Sequence, residues 1–176
     1  MAYDPQSQSR LTPAELAAWR GMLRVQSALL RELDADLLAA HGLPLRSYEV
    51  LLVLDDAPHR RLRMSELSRS VLLSPSGVSR LVDRLEKNGL VLRERCPDDR
   101  RGFYATLTAD GRRRLQEARE SHLRSVRRRF LERLDADDLA RLAGYWERIV
   151  PGAATVTEGR GAAGTRAVCD AARKRS

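Results

Sequence analysis

Residues 74–107 carry the signal of a helix followed at once by that of a β-hairpin, and this pairing constrains the fold more than any other feature. Ser74-Pro75 is typical of a helix start, with a capping hydroxyl and proline at the first helical position. Asn88-Gly89 ends the helix. Between these limits apolar side chains recur at helical spacing, at Val78, Leu81, Val82 and Leu85. Two extended runs, 90–96 and 103–107, then flank a segment rich in turn formers, which predicts a two-stranded wing.

Two shorter helices are predicted before this unit. The first runs from about Arg46 to Asp56 and stops before Pro58. Residues 59–63 form a basic connector, and Ser65 is expected to cap the second short helix. Three short helices followed by a β-hairpin are the layout of a winged helix-turn-helix, which we place at residues 42–108.

Long helices are predicted on both sides of the winged unit, so the fold class is mainly α with a small β-hairpin wing. A capping box at 12–15 starts the first long helix, which ends at Gly42. Thr108 caps a second one to about Leu134, and Asp135 caps the last helix, which Pro151-Gly152 ends. Helices of this length usually pack against another chain or another long helix. We therefore expect residues 12–41 and 109–150 to form a dimerisation region, with flexible termini at 1–11 and 151–176.

Charge is segregated along the chain, whose formal net charge is +8. Residues 11–57 hold four arginines against seven acidic residues, whereas residues 58–101 hold eleven basic residues against six acidic ones. Residues 112–133 hold nine arginines against three glutamates, and these could pair with the acidic first helix or line a DNA-facing side. A protein this basic often binds a polyanion, although a basic solvated surface explains the charge equally well.

The polar face of the helix at 75–87 is the candidate contact surface. Once the apolar stripe is buried, the opposite face presents Ser76, Ser79, Arg80, Asp83, Arg84 and Lys87. Small hydroxyls near a helix N-terminus let the backbone approach phosphates, and Arg80 and Arg84 can reach base edges in a major groove. Every amphipathic surface helix has a polar face, so the hairpin directly after this one is what favours DNA.

The predicted hairpin tip carries charges of both signs. Arg100 and Arg101 are candidates to enter a minor groove, where the negative potential is strongest. Asp99 is a candidate to hold one of them in place. The alternative is a charged turn that only keeps the hairpin soluble.

Nothing in the sequence indicates an enzyme, a metal site or a cofactor, because no nucleophile–base pair, phosphate-binding loop or ligand cluster is visible. Cys96 and Cys169 form no CxxC pair. Arg95 beside it could activate the Cys96 thiol, but we interpret Cys96 as a structural residue; Cys169 lies in the tail. No signal pattern or long apolar run is present, so we expect no membrane contact and a cytoplasmic location.

Four segments resemble the multiple antibiotic resistance regulator (MarR) family of winged-helix repressors. They are 42–51 (GLPLRSYEVL), 64–68 (MSELS), 74–91 (SPSGVSRLVDRLEKNGLV) and Asp99-Arg100-Arg101 through Thr108, with Gly111 after it. The third and fourth segments are specific together, because they place wing and helix at the family's spacing. The likeness extends over roughly residues 12–150.

The resemblance implies a transcription regulator, expected to be a repressor, that binds a palindromic operator in double-stranded DNA as a homodimer. Each recognition helix would enter one major-groove half-site. Ser76, Ser79, Arg80 and Arg84 match the family's recognition-helix contacts by position, Arg101 its wing arginine and Asp99 the residue that orients it. The full set of predicted DNA contacts is Ser65, Ser74, Ser76, Ser79, Arg80, Arg84, Arg100 and Arg101. The alternatives are a winged-helix protein–protein interaction module and a nonspecific DNA-binding protein.

Many members of this family bind small anionic aromatic ligands between the dimer region and the DNA-binding lobe. Pro44, Arg46 and Ser47 depart from the Thr, Pro and Gln that are common beside that pocket. The residues that could line it here are Trp19, Met22 and Tyr48. Trp19 and Met22 at helical spacing are also typical of an ordinary core, so a small aromatic or anionic ligand is expected from the resemblance alone.

Overall fold

The computed structural model describes residues 10–71, 73–96 and 99–155, and for residues 99–101 it describes the backbone alone. Within these ranges the chain forms six α-helices, two 3-10 turns and one three-stranded sheet. In chain order these are α1 (Pro13–His41), α2 (Leu45–Asp56), a 3-10 turn (Pro58–Arg60), β1 (Arg61–Arg63), α3 (Met64–Ser70), α4 (Pro75–Lys87), β2 (Val91–Cys96), β3 (Asp99–Leu107), α5 (Ala109–Arg129), a second 3-10 turn (Leu131–Arg133) and α6 (Ala136–Ile149). The predicted fold class, mainly α with a small β wing, is confirmed.

Four of the predicted helix starts are confirmed by their caps. At the start of α1 the Thr12 backbone N–H donates to Glu15 Oε2 at 2.7 Å, and the Glu15 N–H donates to Thr12 Oγ1 at 3.3 Å. Ser74 caps α4, and its Oγ accepts from the N–H of the third helical residue at 3.1 Å. Thr108 and Asp135 cap α5 and α6 in the same way. Local hydrogen bonds between residues three apart therefore set where these four helices begin.

Two helix boundaries were predicted wrongly. Ser65 does not cap α3, because the Glu66 carboxylate accepts from the backbone N–H of Arg63 at 3.0 Å and fixes the cap two residues earlier. Ser65 lies in the first turn of α3 instead. The helix after Thr108 ends at Arg129 rather than near Leu134, because Phe130 leaves the helical conformation with φ −128° and ψ −62°.

The sheet contains one strand that the sequence analysis did not predict. Residues 61–63, predicted to belong to a connector, form β1, which pairs antiparallel with β3 in the order β1-β3-β2. Three residues are too few to show alternation, so this strand exists only because β3 offers it a partner. β3 begins at Asp99 instead of Phe103, since Asp99 pairs with Cys96 across a register shift.

The core lies between α2, α3, α4 and the inner face of the sheet, and the ends of α1 and α5 pack against it. The predicted stripe of α4 is buried, with Val78 and Val82 at 0% exposure. Ala105 supplies the inner face of β3, and Leu37 and Leu115 join the core from α1 and α5. Burial of the stripe fixes the rotation of α4 about its own axis and therefore which residues face solvent.

A close backbone approach joins α5 to the base of the wing. The Thr108 N–H donates to the Leu90 carbonyl at 3.2 Å, and Thr108 Oγ1 donates to the Gly89 carbonyl at 2.7 Å. A Cβ on Gly111 would lie 2.0 Å from the Leu90 carbonyl oxygen. Only glycine fits there, so α5 leaves the winged unit at a fixed position.

Polar contacts connect α1 with α2 and α5. Asp34 Oδ1 of α1 accepts from the Leu45 N–H at 2.7 Å and caps α2, whose N-cap residue Pro44 provides no side-chain hydrogen bond. His41 Nε2 is hydrogen-bonded to Ser121 Oγ of α5 at 2.6 Å. These contacts hold the end of the first long helix against α2 and α5.

Two helices keep apolar side chains exposed. α6 has no buried residue, although Leu139, Leu142, Trp146 and Ile149 follow one stripe along it. α1 exposes Trp19, Leu23 and Val25 in its first half. In the described part of the chain no single helix is long and apolar enough to cross a membrane; α1 and α2 meet that criterion only as a pair bent by 82°.

Candidate DNA-binding surface

The predicted contact residues of α4 lie on its solvent side. Ser76, Arg80 and Arg84 are exposed, and Ser79 is half-buried. Ser74 is also exposed, and its Oγ lies 3.2 Å from Ser76 Oγ at the helix N-terminus. The structure therefore brings the α4 candidates together on one surface that combines hydroxyls, two guanidinium groups and the positive end of a helix dipole.

Asp83 shares the α4 surface but its charge is paired. Its Oδ1 lies 2.7 Å from Nη2 of Arg93 in β2. Arg93 Nη2 also donates to the Ser79 carbonyl at 3.4 Å, and the Arg93 backbone N–H donates to Glu86 Oε1 at 2.9 Å. One wing residue thus contacts α4 at three places.

Arg93 is not among the residues predicted from the sequence, although the strand carries a signal for it. Val91 and Arg93 are two positions apart, so they lie on the same side of β2, and Val91 is buried at 2% exposure. Alternation therefore assigns an arginine to an inward position, where a guanidinium needs a partner. The identity of that partner was not readable, because Asp83 belongs to a different element.

Basic residues continue onto β1. The guanidinium carbons of Arg61 and Arg63 lie 4.9 and 5.5 Å from the centre of the Tyr104 ring. Both distances are in the range of cation–π contacts. The basic residues predicted to lie in a connector therefore form part of the wing sheet.

The predicted wing residues lie at the end of the sheet that is remote from α5. Asp99 begins β3 opposite Cys96, and Arg100 and Arg101 follow on the same strand. Their side chains lie outside the described residues, so the roles assigned to them stay predictions. Ser65 is exposed in the first turn of α3.

Of the two cysteines, only Cys96 lies in the described part of the chain. Cys96 is a free thiol and is buried at 4% exposure. Cys169 lies outside the described residues, as do residues 1–9 and 156–176 of the termini predicted to be flexible, 1–11 and 151–176. Across the described ranges no group of three or more His, Cys, Asp or Glu side chains could hold a metal ion.

The three predicted pocket residues occupy two environments. Trp19 and Met22 lie one turn apart on α1, and Trp19 is 53% exposed. Tyr48 is buried at 1% exposure, and its ring centre lies 4.7 Å from that of His122 in α5. Tyr48 Oη and His122 Nδ1 are buried without a hydrogen-bond partner among the described residues. Burial lowers the pKa of His122 and raises that of Tyr48.

A separate groove of about 670 Å³ lies between α1 and α5. None of the three predicted pocket residues lines it. Its lining residues are Asp36, Ala39, Ala40, Ser121, Arg124, Ser125, Arg127, Arg128 and Glu132.

The arginines of residues 112–133 pair in part with the acidic N-terminal segment. Arg129 contacts both Asp36 and Glu32 of α1, and Arg128 lies 3.1 Å from Asp36. Arg112 lies 3.4 Å from Asp55 of α2. Of the two interpretations left open by the sequence, pairing with the acidic first helix therefore accounts for Arg128 and Arg129, whereas Arg112 pairs with α2.

A basic helix face directly followed by a wing, both built on a small helical core, defines a winged-helix DNA-binding protein. The comparisons with known proteins agree. The profile of the MarR family matches residues 41–102. The chain is 33% identical over 115 residues to the HTH-type transcriptional repressor Mb2911 of Mycobacterium bovis, a match that covers 65% of this chain and 80% of that protein.

Solved structures extend the similarity over most of the chain. AbsC, a MarR family transcriptional regulator from Streptomyces coelicolor, is 37% identical with a TM-score of 0.74, over 80% of this chain and 94% of that one. Sco3205, a MarR family regulator from the same organism solved in complex with DNA, is 36% identical with a TM-score of 0.75, over 86% of this chain and 95% of that one. The chain therefore belongs to the MarR family of transcription regulators.

Family membership confirms the predicted class, a DNA-binding transcription regulator and not an enzyme. Matches with several other curated proteins, all named as transcriptional regulators or repressors, are shorter. They span 53 to 58% of the length of those proteins.

Proposed function

We propose that the protein is a sequence-specific repressor that binds a palindromic operator in double-stranded DNA as a homodimer. The observation that carries the proposal is the exposed face of α4, where Arg80 and Arg84 stand beside Ser76 while Arg93 neutralises Asp83. A helix with this face fits a major groove, and its direct continuation into a wing fits the adjacent minor groove.

The contact residues divide into three groups by their proposed roles. Ser74 and Ser76 let the N-terminus of α4 approach phosphates, and Ser65 does the same at α3. Arg80 and Arg84 read base edges, with Ser79 beside them. The wing arginines Arg100 and Arg101 enter the minor groove, with Asp99 orienting Arg101.

The homodimer is supported by the helices outside residues 42–108. α6 is 14 residues long and amphipathic, yet none of its residues is buried. A helix of this length is marginal alone, so its apolar stripe requires another surface. A second copy supplies one by symmetry, through its own α1 and α6. We therefore assign 12–41 and 109–150 to dimerisation, which sets the distance between two recognition helices.

A small aromatic or anionic ligand is proposed to release the DNA. Tyr48 Oη and His122 Nδ1 support this, since both atoms are buried with unused hydrogen-bonding capacity in the described structure, which a bound molecule would satisfy. The ligand would bind preferentially to a conformation in which the distance between the two recognition helices no longer matches the operator half-sites, and the DNA would then be released. Because bacterial DNA lies in the cytoplasm, this function would place the protein there.

Fluorescence anisotropy with duplex DNA from the gene's own upstream region tests the proposal. Scrambled duplex serves as competitor, and salt is varied. We expect tight binding that resists the competitor and is abolished by combined Arg80→Ala, Arg84→Ala and Arg101→Ala substitutions with helicity intact. Arg113→Ala is the matched control, because that arginine is 67% exposed on α5 and pairs with Asp110 of the same helix.

Three results would contradict the proposal. Unchanged binding by the triple variant would remove α4 and the wing from the contact surface. Weak binding that is equal for all duplexes tested, genomic fragments included, and steeply salt-dependent would show a nonspecific DNA-binding protein. No binding to any DNA would favour a protein–protein interaction module.

A further inference from the structure

We propose that Arg93 is a positioning residue that sets the wing against the recognition helix α4, so that major-groove and minor-groove contacts form together. This inference rests on the proposed function. Arg93 lies in neither predicted contact set, and its role would be exerted through the residues that it holds.

The contacts of Arg93 extend along two turns of α4. Its Nη2 lies 2.7 Å from Asp83 Oδ1 and 3.4 Å from the Ser79 carbonyl oxygen. Its backbone N–H donates to Glu86 Oε1 at 2.9 Å. Contacts at residues 79, 83 and 86 prevent β2 from rotating about a single attachment point.

The wing needs such a contact because it is thin. β1 ends at Arg63, opposite Tyr104, so the sheet continues beyond that pair as two strands. Cys96 ends β2 three residues after Arg93, which is about 10 Å along a strand. A two-stranded hairpin is marginally stable alone. A small change of angle at Arg93 is therefore amplified at residues 99–101, where the minor-groove arginines lie.

Arg93 is held in place rather than available to DNA. Its side chain is 23% exposed, and its Nε is buried without a hydrogen-bond partner among the described residues. Direct contact with a phosphate would require the guanidinium to leave Asp83. Leaving would expose the carboxylate, which is 47% exposed already, as a negative charge facing the phosphates. The geometry thus favours a positioning role over a contact role.

Chemical footprinting with the full-length protein separates the two grooves. Protection of guanine N7 from dimethyl sulfate reports the major groove, and protection from hydroxyl radicals reports the minor groove. We expect Arg93→Ala to keep the N7 protection within the half-sites and to lose the radical protection that flanks them. The affinity should fall roughly tenfold. Arg113→Ala is the control and should change neither pattern.

Asp83→Asn keeps Arg93 but removes the ion pair, so it serves if Arg93→Ala fails to fold. It also removes a negative charge from the DNA-facing surface. A positioning role predicts weaker binding and lost flanking protection, whereas simple repulsion by Asp83 predicts tighter binding. Tighter binding by Asp83→Asn would therefore overturn the inference.

A double-mutant cycle completes the test. If Arg93 acts through the wing, Arg101→Ala should cost much less affinity in the Arg93→Ala background than in the unmodified protein. Two results would overturn this inference and leave the proposed function intact. One is an additive loss of affinity in the Arg93→Ala, Arg101→Ala double variant, and the other is an equal loss of major-groove and minor-groove protection in Arg93→Ala. If the unmodified protein protects no DNA in either groove, the proposed function fails and this inference fails with it.

Discussion

Arg129 of α5 forms a two-point ion pair with Asp36 of α1, with Nε 2.7 Å from Oδ2 and Nη2 2.7 Å from Oδ1. Its third nitrogen, Nη1, lies 2.6 Å from Glu32 Oε2. The hydrogen bonds from Arg129 hold the pKa of the Asp36 carboxyl well below its ordinary value. One guanidinium therefore connects the two long helices that leave the winged unit, and the connection depends on the ionised carboxylate.

Asp36→Asn should lower the free energy of unfolding by about 1–2 kcal/mol near neutral pH, because a charge-assisted two-point pair is lost. The pKa of Asp36 is depressed in the folded state, so its contribution is present above the unfolded pKa of about 4 and is lost as pH falls further. The variant should consequently show a shallower loss of stability in acid. Urea unfolding at several pH values and fixed protein concentration measures both effects.

Asp110→Asn is the matched control for this change. Asp110 lies 2.9 Å from Arg113 on the exposed side of α5, with 63% of its side chain accessible. Its loss should cost less than about 0.5 kcal/mol, since exposed pairs of this kind contribute little. Equal acid profiles for the unmodified protein and the Asp36 variant would refute the assigned role of the pair.

Gly111→Ala should destabilise the protein by roughly 2 kcal/mol or more, because its Cβ would lie 2.0 Å from the Leu90 carbonyl oxygen. Gly144→Ala is the opposite case. Its Cβ would meet nothing within 4 Å on α6, and the gain in helix propensity should stabilise the protein by up to about 1 kcal/mol. Thermal unfolding of both variants should therefore show shifts of opposite sign. A neutral Gly111→Ala would mean that α5 does not depend on this close approach.

His122→Phe should reduce the acid sensitivity of the fold. Burial lowers the pKa of His122, so the unfolded chain binds a proton below about pH 6.5 that the folded protein resists. Stability should then fall as pH decreases from about 7 to 5, and phenylalanine removes that part of the dependence. The change also removes the unpartnered Nδ1, so stability near neutral pH should be retained. His59→Phe is the control, because His59 is exposed, and an equal effect there would exclude burial as the cause.

The features predicted correctly from the sequence depend on residues only a few positions apart in the chain. The Thr12–Glu15 capping box, the Ser74 cap and the α4 stripe each depend on spacings of three or four positions. The resemblance to a family then assigned roles to the α4 face that composition alone left open. Local chemistry therefore defined the winged unit and the residues on the exposed face of α4.

The features that were missed depend on contacts between elements distant in the chain. β1 is a strand only because it pairs with β3, and Arg61–Arg63 carries no alternation long enough to detect. The helix boundary at Phe130 likewise has no proline or glycine to mark it. The Arg93–Asp83 pair joins β2 to α4. Recognising it requires both the register of the strand and the rotation of the helix about its axis, and neither can be read from local sequence.

Ile149→Glu tests the proposed dimer surface of α6. Ile149 is 65% exposed in the protomer, so the substitution should leave its helicity and its own core intact. In a two-fold symmetric dimer the glutamate is buried twice, which costs at least about 3 kcal/mol, more than a hundredfold in Kd. Light scattering after gel filtration should show a monomer, and specific operator binding should fall with it. Ala140→Glu adds the same charge to the opposite face of α6, and a dimer lost in both variants would contradict an interface built on the apolar stripe.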